Sequence, residues 1–156
     1  KKNHSIDNNC ISVYKNFSIN KDMNTGHMEV YNDVNPDIIK KMIDEFDFTI
    51  NITYILRDLK CPKCGSTLHV NKHYNRNINN VMPVEITEYR CSNPDCRNYE
   101  KASLENFIPK GYVFTYDIIK KICAMGLIEH TSYEKRVEEL KLYDNIKIST
   151  TEILKY

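Results

Sequence analysis

The chain has 156 residues, with 22 Lys and Arg against 21 Asp and Glu, for a formal net charge of +1. That length suits one ordinary domain or two to three small ones, and the near-neutral charge excludes a protein held to nucleic acid by a global basic field. No apolar run approaches the roughly 18 residues of a membrane span, so no membrane partner is expected.

Residues 1–34 are polar and Asn-rich, with Ile11, Val13, Phe17 and Ile19 hinting at no more than a short strand. The pattern predicts a mostly irregular arm. Asn35-Pro36 then supplies an N-cap and a proline at the first helical position. Ile38, Ile39, Met42, Ile43 and Phe46 follow at helical spacing, which predicts a helix over 36–46. Phe48, Ile50 and Ile52 alternate and lead towards residue 59 as a strand, closing a segment 35–59.

The most informative stretch is 60–106. Cys61-Pro62-Lys63-Cys64-Gly65 and Cys91-Ser92-Asn93-Pro94-Asp95-Cys96 place two cysteine pairs on tight turns. Gly65 can take the positive φ that such a turn needs, and Pro62 and Pro94 restrict the turns. Thr67–Tyr74 and Val84–Arg90 read as two strands joined by a loop holding Asn75, Asn77, Asn79 and Asn80. The spacing predicts a zinc ribbon with one structural zinc on Cys61, Cys64, Cys91 and Cys96. A disulfide framework is the competing reading of the cysteines; Cys-Pro-x-Cys-Gly favours metal, and the cysteine usage suits a reducing cytoplasm. Four thiolates leave no open position for water, so the ion is expected to stabilise the fold and not to catalyse. Lys63, Lys72, Arg76, Arg90 and Arg97 are candidate phosphate contacts. His69, His73 and Asn71 share a face of the first predicted strand, as solvated groups or as base contacts.

Pro109 and Gly111 mark a boundary, and 107–156 reads as helical. Ile118, Ile119, Ile122 and Met125 lie on one side of a helix over 116–129. Thr131 and Glu134 form a capping box that opens a helix over 132–141, and Ser149 with Glu152 forms another that opens a third. Leu142–Ile148 connects them, with Ile146 and Ile148 as anchors. Three such helices outline a helix-turn-helix domain. Thr150, Thr151 and Lys155 would reach base edges, and Lys147 and Ser149 would lie near phosphates.

The fold class expected is therefore α+β, a four-cysteine ribbon followed by a three-helix helix-turn-helix domain. The ribbon, the step Pro109-Lys110-Gly111-Tyr112, the run Ser132–Leu140 and the run Ile146–Tyr156 together resemble the N-terminal DNA-binding region of insertion-sequence transposases of bacteria and archaea, over roughly 60–156. The resemblance implies binding of double-stranded DNA at the terminal inverted repeats of an element. It places strand transfer in a downstream RNase H-like domain. The chain begins at Lys1 and stops at Tyr156 within an apparent helix, so a fragment without catalytic activity or a small-molecule substrate is expected, with any homodimer formed through regions outside it. A zinc-ribbon transcriptional regulator and a zinc-dependent protein-interaction module are the alternatives.

Overall fold

The computed structural model describes residues 12–127, 130–144, 146–154 and 156; expectations for residues 1–11 and Lys155 lie outside them. The chain divides into two compact units. One holds the residues up to Arg76 together with Val84–Leu104, the other Asn77–Pro83 with Glu105–Tyr156.

The first unit is built on a mixed six-stranded sheet. Its strands are β1 (Tyr14–Asn20), β2 (Thr25–Tyr31), β3 (Thr49–Ile55), β4 (Leu68–Ile78), β5 (Met82–Cys91) and β6 (Tyr99–Lys101), in the order β1-β2-β3-β5-β4, with β6 also on β5. β1 and β2 are antiparallel, whereas β2, β3 and β5 run parallel. The helix α1 (Pro36–Asp44) makes the crossover from β2 to β3 that parallel pairing requires.

This architecture overturns the expected one. The body of the chain is not a small ribbon followed by a helix-turn-helix domain, and the arm expected over 1–34 contains two sheet strands from Tyr14 onward. The reason lies in their burial. β1 is an edge strand buried only at Tyr14, so its polar residues carry no alternation. β2 does alternate, burying Gly26, Met28 and Val30, but a glycine and polar neighbours hide the pattern. The two strands expected for the ribbon are β5 and its neighbour β4, and β5 is an interior strand of the larger sheet.

Asn35 caps α1, its side-chain oxygen accepting the Asp37 N–H at 2.9 Å. The helix stops at Asp44, two residues short of expectation. Phe46 leaves it to join a run of rings, 5.5 Å from Phe17 and 5.3 Å from Phe48. Ile39 of α1 is fully buried, as are Met28, Val30, Ile52 and Tyr54 on one face of the parallel strands. Burial, and then the nearby Asp37 carboxylate, push the Tyr54 hydroxyl above its ordinary range.

One edge of β5 serves two partners in succession. β3 pairs with Val84–Ile86, and β6 pairs with Glu88–Arg90, antiparallel. The other edge belongs to β4, and two strands joined by three residues can only run antiparallel.

The second unit packs α2 (Tyr116–Leu127), α3 (Tyr133–Asp144) and α4 (Thr150–Ile153) around Phe114, Ile122, Met125, Leu140, Ile146, Ile148 and Ile153. The hairpin tip belongs to this unit. Asn79 and Asn80 take positive φ; Asn79 accepts the Thr115 N–H at 2.9 Å, and the Asn80 amide donates to the Lys147 carbonyl at 2.8 Å. Ser132, not Thr131, caps α3 by accepting the Lys135 N–H at 3.3 Å. Ser149 does cap α4 as expected, accepting the Glu152 N–H at 3.1 Å. Yet α4 has only four residues, a rise of about 6 Å, which is too short to lie in a groove as a recognition helix. Among the described residues no helix is long and apolar enough to cross a membrane.

Candidate metal centre

Two knuckle turns carry the four cysteines. In the first, the Gly65 N–H donates to the Cys61 carbonyl at 2.8 Å and the Cys61 N–H to the Ser66 carbonyl at 2.7 Å. Gly65 closes the turn at φ 77°, a left-handed conformation natural to glycine. In the second, the Cys96 and Arg97 N–H groups both donate to the Asn93 carbonyl, at 3.1 and 3.2 Å. Here Arg97 stands in the left-handed position, at φ 52°. The Asn93 side chain accepts the Asp95 N–H at 3.0 Å, an Asx turn inside the knuckle. Sequence and spacing thus build both turns from local hydrogen bonds. The Ser92 N–H bonds the Thr67 carbonyl at 3.0 Å and ties the second knuckle to the first.

The four sulfurs converge. All lie within 4.8 Å of one another, with Cys61 and Cys96 at 3.8 Å and Cys64 and Cys91 at 3.3 Å. A tetrahedron of thiolates about 2.3 Å from a central ion has edges near ~3.8 Å. The separations are far above a disulfide bond length of about 2.05 Å, and all five described cysteines are free. The cluster can hold a metal ion.

Its floor is apolar. Cys61 and Cys91 are buried with Leu68 and Tyr89, and Leu56 and Cys96 pack against them. The Tyr89 hydroxyl accepts the Leu56 N–H at 3.3 Å. The thiols differ in ease of ionisation. Ser66, through its hydroxyl and its backbone N–H, and then Cys91, hold the Cys64 thiol down at about 6. Burial raises Cys61, but the N–H groups of Lys63 and Cys64 and the Asn98 amide outweigh it and leave that thiol low. Burial pushes Cys91 up to about 12, and burial and then Cys64 raise Cys96. Cys64 favours thiolate unaided, whereas burial holds Cys91 and Cys96 towards the thiol, a preference that the charge of a bound metal would reverse.

The candidate phosphate contacts separate into two sets. Lys147, Ser149, Thr150 and Thr151 are exposed in the second unit around α4, and the Ser149 hydroxyl is occupied by its cap. Lys63, Lys72, Arg76, Arg90 and Arg97 belong to the first unit. Lys63 and Arg97 are exposed on the knuckles, and the Arg97 Nε donates to the Pro94 carbonyl at 3.2 Å.

Lys72 and Arg90 fall on one sheet face with a residue the sequence reading missed, Lys101. Antiparallel partners share a face, so Glu88 sits with Lys101 and Arg90 with Tyr99. Tyr74 joins them by donating to Glu88 at 2.5 Å, and its ring lies 4.9 Å from the Lys72 Nζ and 4.8 Å from the Lys101 Nζ. The Asn71 amide donates to the other Glu88 oxygen at 2.7 Å.

Strict alternation would not produce this face. Leu68 packs with Tyr89 and Cys91, and Tyr74, six residues on, bonds Glu88 on the opposite side. β4 therefore shifts its alternation by one residue between them. The shift also parts Asn71 from His73, which bonds Thr87 at 3.3 Å, so the face expected for His69, Asn71 and His73 does not form. No residue type in β4 signals the shift.

No family model, curated protein or solved structure matches the chain.

Proposed function

We propose that the chain is a zinc-stabilised DNA-binding module that meets phosphates with the β4–β5–β6 face. The observation that carries this reading is the gathering of Lys72, Arg90 and Lys101 on one face. Its carboxylate, Glu88, is 7 % exposed and bonded by Tyr74 and Asn71, so it is turned inward. Zinc is the ion that suits four thiolates in tetrahedral array. Its role is to fasten the turns on either side of the β4–β5 hairpin and so hold the basic face in shape. A recognition helix forms no part of this function.

The test is fluorescence anisotropy of a labelled DNA with the zinc-loaded protein at about 50 and 150 mM salt. Binding that weakens with salt and is lost in Lys72→Glu/Lys101→Glu supports the reading. Absence of binding at the lower salt, or full binding by the doubly reversed variant, overturns it.

A further inference from the structure

We infer that the β4–β5–β6 face takes an unpaired strand, with a base lying on the Tyr99 ring and phosphates on Lys72, Arg90 and Lys101; this rests on the DNA-binding reading above. The argument begins with Tyr99. It is 55 % exposed and stands on β6 opposite Arg90. A tyrosine ring that projects from a sheet surface is a ready platform for the face of a base. Tyr99 is also held firmly. The residue before it, Asn98, accepts the Cys91 N–H through its carbonyl at 2.8 Å, and its amide reaches the Cys61 sulfur at 3.5 Å. The metal centre thus fixes the backbone from which the ring projects.

The other aromatic of the face has a different task. The Tyr74 ring lies against two ammonium groups and its hydroxyl is committed to Glu88. It serves to order Lys72 and Lys101 beside the place where a strand would run. Glu88 is the one negative group among these contacts, and both its oxygens are already accepting hydrogen bonds. Three strands make a surface about 10 Å across, broad enough for a single strand laid along it. A duplex turns its base faces inward and offers mainly phosphate and groove edges, so it would use the cations and leave Tyr99 idle. Charge complementarity alone fits either form; the free ring selects the unpaired one.

The experiment compares a fluorescein-labelled single-stranded oligonucleotide with a labelled duplex, each at the same salt, against the zinc-loaded full chain. Wild type is expected to bind the single strand more tightly. Tyr99→Ala should weaken that binding roughly tenfold and leave duplex binding unchanged, while Tyr99→Phe, which keeps the ring, should bind like wild type. Lys101→Ala should weaken both. Thermal melting of each variant checks that it remains folded. Tighter duplex binding, or a Tyr99→Ala variant that holds the single strand as wild type does, overturns this inference while leaving DNA binding intact. Failure of wild type to bind either polymer overturns DNA binding itself.

Discussion

Gly65 and Arg97 occupy equivalent places, each just after the second cysteine of its knuckle and each in the left-handed region. A Cβ at Gly65 would meet no atom within 4 Å, so the cost of Gly65→Ala is conformational alone, about 1 kcal/mol. Arg97→Gly acts with the opposite sign and should be neutral or slightly stabilising, because it relieves the same conformation at the second knuckle. Urea denaturation of the zinc-loaded variants measures both. Glu88 carries a pH dependence. Tyr74 first, then Asn71, bond the ionised form and hold its carboxyl below the ordinary 4.5. The stabilisation is complete above that value and is lost as the pH falls through the lowered one. Glu88→Gln cannot titrate, so its melting temperature should decline less than that of wild type between about pH 6 and about pH 3.

At the level of elements, the cysteine motif and α1 were legible because local chemistry decides them. Gly65 and the prolines announce turns, and Asn35-Pro36 announces a helix start. β1 and the face shift in β4 were not legible, since exposed edge strands bury too little to impose a pattern. The helix-turn-helix outline failed for a related reason. Capping residues mark where a helix can begin, but α4 ends after four residues, and no cap states a length. Removal of metal is expected to act first on the knuckles and on the strand that follows the second. Zinc supplies on the order of 10 kcal/mol to the folding of such a site. Chelation should therefore lower the melting temperature sharply, and native mass spectrometry should find one zinc per chain in wild type and none in Cys91→Ser. Retention of zinc by Cys91→Ser would remove that residue from the ligand set.

For the molecule as a whole, a net charge of +1 conceals a local concentration of cations. Bulk composition could not reveal it, because Lys101 lies 29 residues from Lys72 in sequence and meets it only through the shared partner Tyr74. Three phosphate contacts imply a modest slope of log K against log salt, about −2 for a single strand. Lys101→Ala should reduce its magnitude by about 0.7. An unchanged slope would mean that Lys101 meets no phosphate.

The divided edge of β5 has one further consequence. β3 ends where β6 begins, and β6 is three residues long and follows directly on the second knuckle. If that knuckle opens, the backbone groups of Glu88–Arg90 lose their partner while those of Val84–Ile86 keep theirs. What remains is a gap one strand wide beside β5, and unpaired backbone groups of this kind can pair with a strand from another chain. An ion that keeps the knuckle closed would therefore also be expected to oppose polymerisation. Light scattering after chelation should rise with protein concentration and fall again when zinc is restored early.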